Sequence, residues 1–267
     1  MNKKAFNDYS CRSNIYDIEY AAVYDLPFWT RLAAGVNTIL EVPCGSGVRA
    51  LHLASLGKDV TAVDIEPNMV ALLQQKLANS SSFLKVTPKL ADMRRLELAS
   101  WFDAVFVIRE GFQFLVDDGE AIETMRCLAR HLRTDGFIAI DLADFAVSAK
   151  GSSYRLEYYD KNQPDHLWID EWRRPVDDAG GFCMRRRRQR HEENQMVVID
   201  FQYLLQQGAA KPKEWDASVR YRCYDHDGFL CIIERSGLHC TSVFGNYDFK
   251  PYVTGDPRMI FIIKRAA

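Results

Sequence analysis

Two hydrophobic rhythms divide this chain. From Thr38 to about Leu142, short apolar runs alternate with stretches whose apolar residues recur at helical spacing. Residues 39–42 read as a first buried strand, and Val48, Leu51 and Ala54 mark a helix over 48–56 that Gly57 ends. A second strand is expected at 59–63, after which Pro67 suits the first turn of a helix reaching about Ala78. Further strands are expected at 83–91, 104–108 and 136–142, with a helix at 119–132 before the last of them. Units of this length give a mostly parallel sheet covered by helices on both faces. The ligand crevice of such a sheet lies at the carboxyl ends of its strands.

At about Ser148 the helical period stops. Strand-like runs follow at 154–159, 167–174, 182–190, 196–205 and 219–223, separated by turn-prone clusters such as Asn162-Gln163-Pro164 and Asp177 to Gly181. This is the pattern of an antiparallel insertion. A helix near 227–236 and strands near 239–244 and 259–263 then complete the first rhythm, the last two strands joined by a linker that suits an antiparallel pair. Within the insertion, Arg185 to Arg188 and Arg190 fall on both faces of one strand. Those arginines are expected to face water or to meet acidic neighbours such as Asp170 and Glu171.

Before the first strand the chain is aromatic. Tyr16, Tyr20 and Tyr24 are spaced to share one helical face, and Pro27 fits the start of a second short helix over 27–34. The segment reads either as an aromatic stripe packed on the main body or as a lid offering phenol hydroxyls to a ligand.

Composition narrows the function class. With 267 residues, 48% of them hydrophobic, and a formal net charge of -2, the chain has ample core and no bulk attraction to nucleic acid or anionic lipid. Seven cysteines without a CxxC pair argue against a disulfide framework or a zinc knuckle, and no metal site is expected. No run approaches the length of a membrane span, and MNKKAFNDYS lacks the apolar core of a signal peptide, so a soluble, cytoplasmic protein is expected.

The chemistry starts at NTILEVPCGSGVRALHLA, residues 37–54, where a buried strand turns through Gly45 and Gly47 into a helix N-terminus. Such a turn cradles small anionic or nucleotide-like groups. Three acidic residues, Glu41, Asp64 and Asp92, end up at the same edge of neighbouring strands. Asp64 lies 19 residues after Gly45, the spacing at which a carboxylate accepts both hydroxyls of a ribose. Asp92 is placed to accept from the exocyclic amine of a purine, with Ile65 and Met93 on either side of the ring. An adenosine site follows. A dinucleotide oxidoreductase is the rival, since Gly45 to Ala50 matches G-x-G-x-x-A. The long aromatic segment before strand one, Glu41 just upstream of the turn and Asp92-Met93 count against it.

These residues resemble the class I S-adenosylmethionine-dependent methyltransferases. ILEVPCGSG is similar to that family's first motif, with Pro43 in place of a glycine; TAVDIEPNMV and KLADMRRLEL are similar to the second and third. The resemblance implies a Rossmann-like α/β fold, a mostly parallel seven-stranded sheet with its last strand antiparallel, carrying an inserted small antiparallel β domain like that of glycine and amino-sugar N-methyltransferases. The expected division is a lid over 1–35, the cofactor domain over 36–147 and 225–267, and the insertion over 148–224 as a substrate or dimer wall. It also implies S-adenosyl-L-methionine as cofactor, S-adenosyl-L-homocysteine as product, and an enzyme methylating nitrogen or oxygen of a small molecule. A noncatalytic module that binds S-adenosylmethionine is the remaining alternative.

The expected cofactor residues are Glu41, Pro43, Gly45, Gly47, Asp64, Ile65, Asp92, Met93, Ile108 and Arg109. At the end of strand four, Arg109 is a candidate holder of a carboxylate, and Glu110 reads either as a general base or as half of a structural pair. Tyr9, Tyr16, Tyr20, Gln113 and His226 are the candidates for contact with the substrate, His226 alternatively as a helix cap. His52, His131 and His191 are expected at solvated positions. The partner is a small-molecule methyl acceptor, without membrane or nucleic acid, and the chain acts as a monomer or a homodimer.

Overall fold

The structure is a computed structural model and describes residues 7–20, 22–146, 162–175, 182–207 and 211–266. A short helix, α1 (Tyr16–Glu19), and α2 (Leu26–Leu32) precede β1 (Thr38–Glu41). Then come α3 (Val48–Ser55), β2 (Asp59–Asp64), α4 (Pro67–Ala78), β3 (Val86–Leu90), β4 (Phe102–Val107), α5 (Asp118–Arg130) and β5 (Leu132–Ala143). Four strands follow, β6 (Ile169–Pro175), β7 (Phe182–Glu193), β8 (Met196–Gln207) and β9 (Lys213–Arg222). The chain closes with α6 (His226–Arg235), β10 (Leu238–Phe244) and β11 (Arg258–Arg265).

The main sheet has seven strands in the order β10-β11-β5-β4-β1-β2-β3. β1 pairs in parallel with β2 and β4, β4 with β5, and β2 with β3, while β11 runs antiparallel to both β5 and β10. Strands this apolar bury both faces. One face packs Leu40, Val105 and Ile140 under α5 and α6, and the other packs Ile39, Phe106 and Ala139 under α2 and α3. Local chemistry sets the helix starts. Asp117 accepts from the Glu120 amide at 3.1 Å and Asp225 from the Gly228 amide at 2.6 Å, each filling an N-cap. Among the described residues no helix is long and apolar enough to cross a membrane.

The second sheet is antiparallel, in the order β6-β7-β8-β9. Its inner face carries Met184, Ile199, Phe201, Tyr203, Val219 and Tyr221, which pack with Ile15 of the N-terminal segment and with Ala143 and Phe145 after β5. That face corrects the expectation for the arginines. Arg186, Arg188 and Arg190 are buried, at 0%, 3% and 1% exposure, because register places them opposite Tyr203, Phe201 and Ile199. Burial is possible because carboxylates meet them: Arg186 pairs with Glu19 and Glu171, each at 2.6 Å, and Arg188 with Glu171 at 2.6 Å. Of the two outcomes expected for these arginines, the acidic neighbour Glu171 is the one found for Arg186 and Arg188, and burial is the part that differs.

Other expectations shift. The tyrosine helix ends at Glu19, so Tyr24 leaves the face of Tyr16 and lies against Tyr247 instead, ring centroids 5.8 Å apart. What bends the chain is Glu19, drawn inward by Arg12 and Arg186. β9 begins at Lys213, well before the expected 219, since Trp215, Ala217, Val219 and Tyr221 alternate on the inner face. His131 is buried against the Leu96 carbonyl, 3.1 Å from Nε2, and not solvated. The run at 154–159 lies outside the described residues.

Candidate active site

A cavity of about 320 Å³ opens at the carboxyl ends of β1, β2, β3 and β4, with the N-terminal segment over it. Its floor is the glycine turn. Gly45 has φ +53°, and a Cβ there would sit 2.8 Å from the Tyr16 hydroxyl, so the turn has room for the tyrosine only because residue 45 is glycine. The Gly45 amide donates to Asp64 Oδ2 at 2.7 Å, and the Glu66 amide donates to Oδ1 at 2.9 Å. Two backbone donors from two loops thus fix the carboxylate at the tip of β2. Burial still pushes its pKa above the usual carboxylate value.

Pro43 is packed rather than misplaced. A Cβ on Gly111 would meet its ring at 2.5 Å, so the proline and the turn after β4 form one interlocked wall. That turn is strained: Arg109 and Glu110 have φ +51° and +59°. Asp141 of β5 holds it by accepting from the Arg109 amide at 3.0 Å, while its backbone carbonyl accepts from the Glu110 amide at 3.1 Å. Arg258 of β11 donates to Asp141 Oδ1 and Glu110 Oε1, both at 2.6 Å, and the Tyr247 hydroxyl donates to Asp141 Oδ2 at 2.7 Å. None of Asp141, Arg258 and Tyr247 was singled out from sequence. A lone aspartate inside the apolar run FIAIDLA was the available signal.

Among the described residues, Glu41 and Arg109 of the cavity form no salt bridge. Glu41 is 1% exposed, and its Oε2 has no hydrogen-bond partner. Burial pushes its pKa up to about 8; Arg49 opposes the rise, and Asp25 and Asp64 add to it. Arg49 is itself committed, donating to both oxygens of Asp25 at 3.0 and 2.8 Å. Arg109 donates to the Tyr24 hydroxyl at 3.0 Å and to the Ala22 carbonyl at 3.4 Å, and among the described residues no carboxylate forms a salt bridge with it.

The roof comes from the N-terminal segment. Tyr9, Tyr16 and Tyr20 line the cavity, and Asp17 ties the segment down by accepting from Ser46 Oγ at 2.5 Å and pairing with Lys76 at 2.6 Å. Beyond them, Tyr9 meets Phe114 edge-on at 6.2 Å, and Phe114 stacks on Tyr221 of β9 at 5.3 Å. This aromatic end joins the main body, the roof and the second sheet. Sequence periodicity did not reveal it, because Phe114 and Tyr221 are 107 residues apart and meet only through the sheet.

Most of the residues expected from sequence meet in this cavity: Glu41, Pro43, Gly45, Asp64, Ile65, Asp92, Met93, Ile108, Arg109, Glu110, Tyr9, Tyr16 and Tyr20. Three do not. Gly47 sits behind the turn as the N-cap of α3, φ +80°, packed on Leu73. Gln113 is buried as a cross-link, donating to the carbonyls of Ala143 and Arg222 at 3.1 and 2.9 Å and accepting from the Ala143 amide at 2.8 Å. His226 neither caps α6, a role Asp225 fills, nor reaches the cavity; it stacks on Tyr252 and pairs with Asp227.

Residues 39–136 match the family model described as a methyltransferase domain. The cypemycin N-terminal methyltransferase of Streptomyces sp is 26% identical over 230 residues, 86% of this chain and 83% of that protein. Among solved structures, an S-adenosylmethionine-dependent methyltransferase from Clostridium acetobutylicum superposes with a TM-score of 0.76 at 17% identity, covering 97% of this chain and 99% of that one. The sugar N-methyltransferase KedS8 from Streptoalloteichus sp has a TM-score of 0.72 at 18% identity, covering 100% and 96%. The matched methyltransferase domain surrounds the cavity and the seven-stranded sheet lies beneath it, so residues 39–136 are a methyltransferase domain, and the fold around them is that of the S-adenosylmethionine-dependent methyltransferases.

Proposed function

We propose that the chain methylates an amine nitrogen of a small molecule, with segment 7–20 as lid and the second sheet as substrate wall. One observation carries the reading: among the described residues no cation forms a salt bridge with Glu41 and no carboxylate forms one with Arg109. The methionyl end of S-adenosylmethionine is a zwitterion and fits both. In this reading Glu41 takes its ammonium and Arg109 its carboxylate, beside the Gly45 turn. Asp64 accepts from the ribose hydroxyls, Asp92 accepts from the adenine amine, and Ile65 and Met93 flank the ring.

When bound, the cofactor supplies a methyl carbon made electrophilic by its sulfonium. The chain's own residues position the acceptor and exclude water. The turn at Arg109 and Glu110, pinned by Asp141 and Arg258, gives the acceptor end a rigid edge. Tyr9, Phe114 and Tyr221 form its walls. Glu110 is engaged by Arg258, so we assign it to holding this edge instead of to taking a proton. An amine attacks as the free base and needs no obligatory base residue, which agrees with that assignment. The reading is supported by a relative named as the cypemycin N-terminal methyltransferase and by a structural neighbour named as a sugar N-methyltransferase.

Titration calorimetry with S-adenosylhomocysteine and with NAD tests the cofactor reading: binding of the first and not the second is expected, and the reverse refutes it. Turnover of amines against matched alcohols tests the acceptor. Methylation of the alcohols alone would overturn the nitrogen assignment.

A further inference from the structure

Asp92 is held by more bonds than a contact to a purine requires. Its Oδ1 accepts from the Arg94 amide at 3.0 Å and from Arg94 Nε at 2.9 Å. Its Oδ2 accepts from Nε at 2.9 Å and from Nη2 at 2.6 Å. The remaining arm of the same guanidinium, Nη1, donates to Glu120 Oε1 at 2.6 Å in the first turn of α5. All three side chains line the cavity.

A carboxylate offers about four lone-pair directions, two on each oxygen. Three hydrogens of Arg94 face them: the amide at Oδ1, Nη2 at Oδ2, and Nε shared between the two oxygens at 2.9 Å each. Three donors on four directions leave room for one more. The fork also prevents the carboxylate from rotating, because Arg94 is anchored at its far side by Glu120. The same bonds from Arg94 hold the Asp92 pKa below its ordinary value.

We propose that Arg94 is a positioning residue that makes Asp92 a single, fixed acceptor and so selects a purine with an exocyclic amine over one with a carbonyl in that place. This rests on the cofactor reading above. Against an amine, the open direction receives one N–H. Against a carbonyl, oxygen faces oxygen. A carboxylate free to turn would escape this by accepting the neighbouring ring N–H of the carbonyl base. Arg94 removes that escape.

The loop does not depend on Arg94 for its place. Leu96 is buried, its amide donates to Cys127 Sγ at 3.1 Å, and its carbonyl meets His131. Substitution at 94 therefore leaves the backbone anchored on α5.

The test is calorimetric, with S-adenosylhomocysteine and its deaminated inosyl analogue as probes. The wild-type chain is expected to prefer the adenosyl compound by roughly a hundredfold or more, as a site with a fixed polar partner does. In Arg94→Ala this preference falls by about tenfold, the scale of a lost charge-assisted contact. Arg94→Lys, which keeps the charge and loses the fork, gives an intermediate ratio. Arg95→Ala is the control, since the Arg95 side chain is 80% exposed and its Nε is 3.6 Å from Asp92; its ratio stays at the wild-type value. Equal losses for both probes in Arg94→Ala, leaving the ratio unchanged, would show a merely structural role and overturn the inference. Failure of the wild-type chain to bind S-adenosylhomocysteine would instead overturn the cofactor reading, and this inference with it.

Discussion

Glu41 gives the proposed cofactor site a pH signature. Its carboxyl is pushed up to about 8 by burial, so at pH 7 about nine in ten free molecules carry it protonated. Taking an ammonium requires the ionised form. Binding of S-adenosylhomocysteine at pH 7 should therefore release about 0.9 proton, and affinity should climb about tenfold from pH 6 to pH 7, levelling above 8. Calorimetry in buffers of different ionisation enthalpy reads both quantities. The stability of the free protein moves the other way. A carboxyl raised from 4.5 to about 8 contributes its full stability below pH 4.5, and that contribution is lost as pH rises toward 8. At pH 7 the loss is about 3 kcal/mol, from roughly 2.5 pH units at 1.36 kcal/mol each. Glu41→Gln avoids it, so the variant should unfold at higher urea while binding the cofactor more weakly and without proton release. A pH slope that survives in Glu41→Gln, or a variant less stable than wild type at pH 7, refutes the reasoning.

Four further outcomes are expected. Glu19→Ala strips the carboxylate from buried Arg12, Arg186 and the Tyr203 hydroxyl and should cost about 3 to 5 kcal/mol, read as a lower urea midpoint. Gly45→Ala places a Cβ against the Tyr16 hydroxyl at φ +53° and should weaken S-adenosylhomocysteine by about tenfold, with Tyr16→Phe in the same chain recovering part of the loss. Asp17→Asn removes the tie to Lys76 and should raise the dissociation rate of S-adenosylhomocysteine in stopped flow by roughly two- to fivefold, leaving the urea midpoint nearly unchanged. His226→Ala should leave kcat and KM within about a factor of two, because the ring lies away from the cavity.

The strand ends were legible in the sequence because each is a local event. An apolar run that stops at an acidic residue, a glycine or a proline announces where a side chain reaches the sheet edge, and Glu41, Asp64 and Asp92 were found that way. Contacts made across the sheet were not legible. Asp141 and Arg258 are 117 residues apart and meet because β11 inserts between β5 and β10, which no local pattern states. Gln113 looked like a donor to substrate because its position beside the turn is visible in the sequence and its buried backbone partners are not. The arginines of β7 misled for a related reason. Alternation shows that Arg186, Arg188 and Arg190 share a face, but only the partner that covers the face decides between water and burial, and here it includes Glu19 from the start of the chain.

That long-range partner determines how the roof is mounted. On the side of the second sheet, the Asn7 amide donates to the Ser218 carbonyl at 3.0 Å, and the Asn7 side chain bonds both the amide and the carbonyl of Arg220, at 2.8 and 3.2 Å. Glu19 is clamped there by Arg186 and Tyr203, and the Arg12 guanidinium lies over the Phe201 ring at 4.8 Å. Separating a buried ion pair of this kind costs about 3 to 5 kcal/mol. On the side of the main sheet, the polar tie is Asp17 to Ser46 and Lys76, with Asp17 at 43% side-chain exposure. An exposed tie of this kind is worth about 0 to 1 kcal/mol. The two attachments differ by several kcal/mol, so if this segment serves as the proposed lid, the contact at Asp17 would yield first and the tyrosines over the glycine turn would stay with the second sheet. The arginines of β7 would then be the mount of that lid.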